Sequence, residues 1–147
     1  MVEETKTINS KKETKSIEDI TGIKILIVDK DQLILNSLRR PLKWEGYEVF
    51  TADNLEKAVS ILNKTPDITL VISGFWFGHG QDSSDFLRYV SKNWPYTRRI
   101  LYTGYPQQLP EFEEIAHAYV DKLYPQKLLK EVVPEQVGEY MKNTRKE

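Results

Sequence analysis

The sequence lacks several features that mark common functional classes. It has no cysteine, which excludes disulfides and thiolate metal sites. It has two histidines, and its 21 Lys and Arg nearly balance 22 Asp and Glu, for a formal net charge of -1. General nucleic-acid and membrane-surface binders usually carry a basic excess, so we expect neither kind of partner.

Long apolar runs are also missing. No stretch approaches the roughly 20 apolar residues of a membrane-spanning helix. The N-terminus is charged where a secretory signal would be apolar. We therefore expect a cytoplasmic protein. Its 147 residues are enough for one domain with a sizeable core.

The two ends of the chain differ from its middle. Residues 1–21 are rich in Glu, Lys, Thr and Ser with isolated apolar residues, which predicts a disordered charged tail. A docking peptide at residues 16–20 is the alternative. Pro134 interrupts the last helical pattern, so we predict a domain over residues 22–134 and a helix extension or a frayed tail over 135–147.

Short apolar runs alternate with amphipathic segments through the middle of the chain. The runs typical of strands begin at Ile23, Tyr47, Ile68, Arg99 and Tyr119. Segments with helical spacing begin near Asp31, Leu55, Ser83, Pro110 and Pro125. This order predicts a three-layer, doubly wound α/β domain with a five-stranded parallel sheet, because right-handed crossovers leave little else.

Polar residues follow the predicted strands. The first strand ends at Asp29-Lys30-Asp31, and in open α/β sheets this carboxyl edge is where binding or chemistry sits. The third strand is followed by a predicted loop over residues 74–80 that contains Phe75-Trp76-Phe77. These three aromatics either fill a pocket at this edge or present an interaction surface.

Over about residues 23–133 the pattern resembles the receiver domain of two-component response regulators. The segments that carry the likeness are residues 25–31, 71–73, 101–104 and 119–122. The resemblance implies flavodoxin-like strand order 2-1-3-4-5 and a role in phosphorelay signal transduction. It also implies a protein partner, such as a histidine kinase or regulator, and allows a homodimer.

In that family an acidic pair and a phosphate-accepting Asp hold magnesium, while a hydroxyl residue and a Lys contact the phosphoryl group. The resemblance assigns these roles as follows: Asp29 and Lys30 for the acidic pair, Gly74 for the acceptor, Thr103 and Lys122 for the phosphoryl contacts, and Tyr119 for the aromatic that rotates on switching. Asp31 completes this remnant pocket. Thr103 and Lys122 are also a plausible anion site.

Two of these positions depart from the family. Glycine has no oxygen to attack a phosphoryl group, and Lys30 removes a magnesium ligand and repels the ion. We therefore predict a stand-alone pseudo-receiver with no catalytic residue, metal or cofactor. It would hold one conformation and act through a partner at the face of the fourth helix, fifth strand and fifth helix. Lys30 is expected to pair with Asp29 or Asp31.

Two alternatives remain open at this point. A shift of register by one residue makes Ser73 the acceptor, and Asp53 lies at the same edge, so phosphorylation at an unconventional acceptor is one of them. The second is a small phosphatase, because Asp29 and Asp31 also resemble the nucleophile and general acid of haloacid dehalogenase-type enzymes.

Overall fold

The computed structural model describes residues 22–104 and 110–144. The predicted tail over residues 1–21 lies outside them, as do residues 145–147. The strands are β1 (Lys24–Val28), β2 (Glu48–Ala52), β3 (Leu70–Ser73), β4 (Trp76–Gly78), β5 (Gln81–Asp82), β6 (Arg98–Thr103) and β7 (Ala118–Asp121). The helices are α1 (Gln32–Trp44), α2 (Leu55–Lys64), α3 (Ser84–Asn93), a 3-10 helix (Pro110–Glu114), α4 (Pro125–Lys127), a π-helical segment (Leu128–Val132) and α5 (Val133–Thr144).

Five parallel strands form the main sheet in the order β2-β1-β3-β6-β7. Counted within this sheet, the order is 2-1-3-4-5, which confirms the predicted architecture. The sheet separates two buried apolar clusters, one of which contains Leu26 and Val71 and the other Ile25 and Ile72. β1 and β3 read as nearly continuous apolar runs because both faces of a central parallel strand are covered.

Side chains at the helix starts hold the crossovers in place. The Asp31 carboxylate accepts a hydrogen bond from the Leu33 N–H at 3.0 Å, and the Asn54 side chain accepts one from the Lys57 N–H at 2.7 Å. Each bond satisfies a helix N–H that has no partner within the helix. No helix of the described residues is long and apolar enough to cross a membrane.

A hairpin over residues 76–82 takes up most of the segment that the sequence predicted as a loop, residues 74–80. Antiparallel β4 and β5 pair Trp76 with Asp82. The turn between them has positive φ at Gly78, His79 and Gly80, a conformation that glycine adopts without steric strain and histidine rarely. At the start of α3 the Asp82 carboxylate accepts the Ser84 N–H at 2.8 Å.

The C-terminal helical region continues past Pro134 to the end of α5. Proline has no N–H to donate to the preceding turn and clashes with it in an α-helix. Here the preceding turn is π-helical, with the Val133 N–H bonded to the Leu128 carbonyl, and this wider turn accommodates the ring. Gln136 then accepts a hydrogen bond from Arg98 at 2.8 Å, which fixes α5 to β6. Of the two outcomes left open for residues 135–147, the structure therefore has the helix, through Thr144.

The helical segment predicted to begin near Pro110 is a short 3-10 helix that ends at Glu114. His117 follows it and lies against Arg99. Its Nδ1 accepts the Arg99 backbone N–H at 3.0 Å, and its Nε2 is 3.3 Å from the guanidinium. Burial, and then the charges of Arg99 and Arg98, lower the pKa of His117 to about 4. Burial, and then Arg98, lower the pKa of Arg99 to about 10.

His117 makes folding sensitive to acid. Its pKa is about 4 in the folded protein, against an ordinary value of 6.5, so the unfolded chain binds the proton first as the pH falls. This stability is complete above pH 6.5 and is lost progressively between pH 6.5 and 4. Allowing for partial solvent access, we expect a loss of about 2 kcal/mol in the free energy of unfolding, measured by urea titration.

The matched control is His117→Asn, since an asparagine oxygen also accepts the Arg99 N–H without titrating. As the pH falls through this window, the wild type should lose free energy of unfolding relative to His117→Asn. A constant difference would show that His117 does not carry the acid sensitivity.

Candidate functional site

The carboxyl ends of four strands meet at one edge of the sheet. They surround a cleft of about 520 Å³. Its lining residues are Asp29, Lys30, Asp31, Phe75, Trp76, Thr103, Gly104, Asp121, Lys122 and Leu123. The sequence-predicted pocket residues thus lie together, and Gly74 borders the cleft beside Asp29.

Asp29 is the centre of this site. It is buried, with 4% of its surface exposed. Its Oδ1 accepts the Asp31 backbone N–H at 2.9 Å, and its Oδ2 lies 2.8 Å from the Lys122 ammonium. The ion pair with Lys122 is therefore the close contact of Oδ2. Among the described residues, no donor forms a hydrogen bond of standard geometry with this oxygen. A buried carboxylate needs such a counter-charge to offset its desolvation.

Gly74 makes this arrangement possible. It follows β3 directly, and its N–H donates to the Val28 carbonyl at 2.8 Å, which holds its backbone against the end of β1. A Cβ built on Gly74 would lie 2.6 Å from Asp29 Oδ2 and 3.1 Å from the carboxyl carbon. Atoms of these types do not approach so closely, so the Asp29 carboxylate occupies the space that any side chain at position 74 would need.

The predicted ion pair of Lys30 with Asp29 or Asp31 is wrong. Lys30 is exposed and forms no ion pair with a carboxylate of the described residues. Its Nζ reaches toward the hairpin, 3.8 Å from a Cβ built on Gly78. The physical reason is that both oxygens of Asp29 are already engaged, by the Asp31 N–H and by Lys122, while Asp31 caps α1.

The strand ends of β6 and β7 place the two remaining polar groups. Thr103 is buried, and the Lys122 N–H donates to its carbonyl at 3.0 Å. Sequence reasoning missed Asp121, which lines the cleft and accepts the Leu123 N–H at 2.9 Å. Its position just before Lys122, where β7 ends, was the available signal. The ring of Tyr119 packs against the core.

Tyr102 is a second residue that the sequence did not single out. It is buried next to this edge. Burial, and then the charges of Asp29 and Asp121, raise its pKa. The phenol therefore stays neutral, and the rise in its pKa comes in part from the two carboxylates at the strand ends.

The three aromatics divide between core and surface. Phe75 and Phe77 pack against the core, and the Phe75 ring meets Phe112 edge-on at 5.6 Å. Trp76 is 50% exposed and lines the cleft. The two readings left open by the sequence therefore apply to different residues, with Trp76 alone of the three exposed at the cleft.

The donor set does not fit magnesium. This ion needs several free oxygen ligands in near-octahedral geometry. Asp29 instead holds the Lys122 ammonium, and Asp31 caps a helix. Residues 22–104 and 110–144 contain no group of three or more His, Asp or Glu side chains that could hold a metal ion.

The alternative phosphate acceptors are poorly placed. Ser73 is fully buried, and its hydroxyl donates to the Gly74 carbonyl at 2.8 Å. Asp53 is exposed and pairs with Lys57 at 3.5 Å. Neither residue lines the cleft at the carboxyl edge.

These observations define an α/β domain with an ion-paired pocket at one edge of its sheet. Its 2-1-3-4-5 strand order with flanking helices is the fold of response regulator receiver domains. No protein-family model and no curated protein matches the sequence. A CheY-like receiver domain protein from Methanospirillum hungatei JF-1 is similar in structure, with a TM-score of 0.73, 28% identity, and 82% of this chain and 98% of that chain covered. The response regulator TrrA from Thermotoga maritima, solved in complex with Mg(2+)-BeF, has a TM-score of 0.68 and 29% identity over 78% of this chain and 98% of its own.

A receiver domain from Clostridium thermocellum shares the fold, with a TM-score of 0.69 and 23% identity over 84% of this chain and 97% of its own. The comparisons thus bear out the receiver resemblance that the strand-end residues first indicated.

Proposed function

We propose that this chain is a receiver-like signalling domain that does not accept phosphate and acts by binding another protein. The observation that carries this proposal is the Asp29–Lys122 ion pair, 2.8 Å long, in the space left by Gly74. Where a receiver needs a free carboxylate as nucleophile, this chain has a glycine, and the neighbouring Asp29 is ion-paired with Lys122.

The ion pair also argues against a catalytic role for Asp29 and Lys122. Asp29 cannot serve as a nucleophile while its Oδ2 is bound to Lys122 and its Oδ1 to a backbone N–H. Lys122, in turn, would have to leave a buried counter-charge in order to bind a phosphoryl group. The phosphatase alternative needs Asp29 as a free nucleophile, and its carboxylate is held by Lys122 and the Asp31 N–H.

A fixed pocket changes how such a domain would signal. A switch needs two states that a modification stabilises differently. Without phosphate there is no such difference, so the domain presents one surface to its partner. The proposed partner is a signalling protein, such as a histidine kinase or regulator, and a homodimer remains a prediction that light scattering would test.

The direct test is incubation with magnesium and acetyl phosphate or phosphoramidate, followed by intact-mass measurement. We expect no added phosphoryl group, because position 74 is a glycine and Asp29 is held by Lys122. In parallel, magnesium with beryllofluoride should leave the intrinsic tryptophan fluorescence, to which Trp76 at the cleft contributes, unchanged.

A stable adduct of one phosphoryl group would overturn the proposal. Its loss in Ser73→Ala or Asp53→Asn would identify the unconventional acceptor. Magnesium-dependent hydrolysis of a phosphate ester that is abolished by Asp29→Asn would instead show an enzyme.

A further inference from the structure

The end of α1 carries a basic surface that the carboxyl edge does not explain. Four exposed cations lie on it or beside it: Arg39, Arg40 and Lys43 on α1, and Lys130 on the π-helical segment. None of them forms an ion pair with a carboxylate of residues 22–104 or 110–144. Exposed charges are usually solvated, but four unpaired cations close together create a local positive field.

An exposed tryptophan lies among these charges. Trp44 is 87% exposed, the largest fraction among the large apolar side chains of the described residues. It forms a wall of two adjoining clefts, of about 410 and 340 Å³, and Arg40 is shared between them. The larger cleft runs between the helices and is also lined by Pro41 and Leu129.

Apolar lining and unpaired positive charge together constrain what this surface binds. Tryptophan and arginine are the residues that most often dominate the energy of protein interfaces. We propose that the surface formed by Arg39, Arg40, Lys43, Trp44, Leu129 and Lys130, which we call the basic groove, binds an acidic segment of another protein that inserts one bulky apolar side chain between the helices.

A peptide fits this surface better than a membrane or a nucleic acid. The larger cleft is concave, and Glu45 lies on its rim, where it would oppose a flat anionic surface or a long polyanion. The formal net charge of the chain is -1, so attraction is confined to this patch. A short segment can place its carboxylates on the cations and avoid Glu45.

The test is selection from a random peptide library with the full chain, without any phosphate donor. We expect the enriched peptides to be acidic with one bulky apolar residue. Their affinity, measured by fluorescence anisotropy, should fall at least about tenfold for Arg40→Glu/Lys43→Glu. Trp44→Ser should weaken binding by a similar factor, because it removes a wall of both clefts.

Matched controls make the same changes of charge and of exposed aromatic surface outside the basic groove. Lys64→Glu/Lys92→Glu changes the net charge equally on other exposed helix positions, and Tyr96→Ser removes an aromatic that is 60% exposed. Both should bind as the wild type does. Enriched peptides without acidic character, or equal loss in test and control variants, would overturn the proposal.

Two further outcomes would also overturn it. One is that the protein sediments with phosphatidylserine vesicles, loses this binding in the basic-groove variants, and binds the vesicles more tightly than any enriched peptide. The other is a dimer that Arg40→Glu/Lys43→Glu dissociates, because the occupant would then be a second copy. Binding here does not require the pocket at the carboxyl edge to refuse phosphate, so this proposal and the proposed function fail separately.

Discussion

Gly74→Ala destabilises the protein although it adds a single methyl group. The new Cβ would lie 2.6 Å from Asp29 Oδ2, and the Asp29 side chain is short and held at both oxygens. To make room, it must give up the Lys122 contact or the bond to the Asp31 N–H. We expect the free energy of unfolding in urea to fall by about 1–3 kcal/mol, as is usual for overpacking.

Gly74→Asp should be worse than the alanine variant. It adds the same Cβ and a second carboxylate beside a buried one, and like charges held close together in a partly buried site repel. We therefore expect a larger loss of stability, about 2–4 kcal/mol. An acidic side chain at this single position would thus not be accommodated as a phosphate acceptor in the fold as it stands.

Gly104→Ala is the matched control, because a Cβ built at Gly104, at the same edge of the sheet, meets nothing within 4 Å. It should change stability by less than about 0.5 kcal/mol. In an Asp29→Ala background, Gly74→Ala should also be nearly neutral, since the clashing atoms are gone. Equal losses in the Gly74 and Gly104 variants would show that the Asp29 carboxylate does not fill this space.

Much of the site could be predicted from the sequence. Short apolar runs locate the strand ends, and the receiver resemblance then assigned Asp29, Thr103 and Lys122 to one edge of the sheet, where the structure has them. What sequence could not supply was the partner of each charge. Lys30 is adjacent to Asp29 in the chain, yet Lys122, which lies more than 90 positions further along, binds it, because the sheet brings the ends of β1 and β7 to the same edge.

Two local features that the sequence did not settle also have physical causes. The hairpin after β3 pairs few residues and turns through glycines, so its sequence is typical of a loop. Pro134 is a helix breaker by its chemistry, and only the π-helical turn before it lets the helix continue. Because π-helical turns are rare, the sequence left both outcomes open at Pro134.

Lys122→Met should be the other strongly destabilising change. It keeps most of the side-chain volume but removes the ammonium, so the carboxylate of Asp29, whose side chain is 6% exposed, loses its counter-charge. Breaking a buried pair on one side is costly because the remaining charge stays desolvated. The lysine side chain is 31% exposed, so we expect a loss of about 2–3 kcal/mol in the free energy of unfolding.

Two variants separate this effect from the loss of any surface charge. Lys57→Met breaks the exposed pair with Asp53, whose side chains are 57% and 45% exposed, and should change stability by less than about 0.5 kcal/mol. Asp29→Asn/Lys122→Met removes both charges and keeps an oxygen for the Asp31 N–H, so it should recover most of the loss. If Lys122→Met and Lys57→Met were equally mild, the pocket would not depend on an ion pair, and the space at Gly74 would be free for other chemistry.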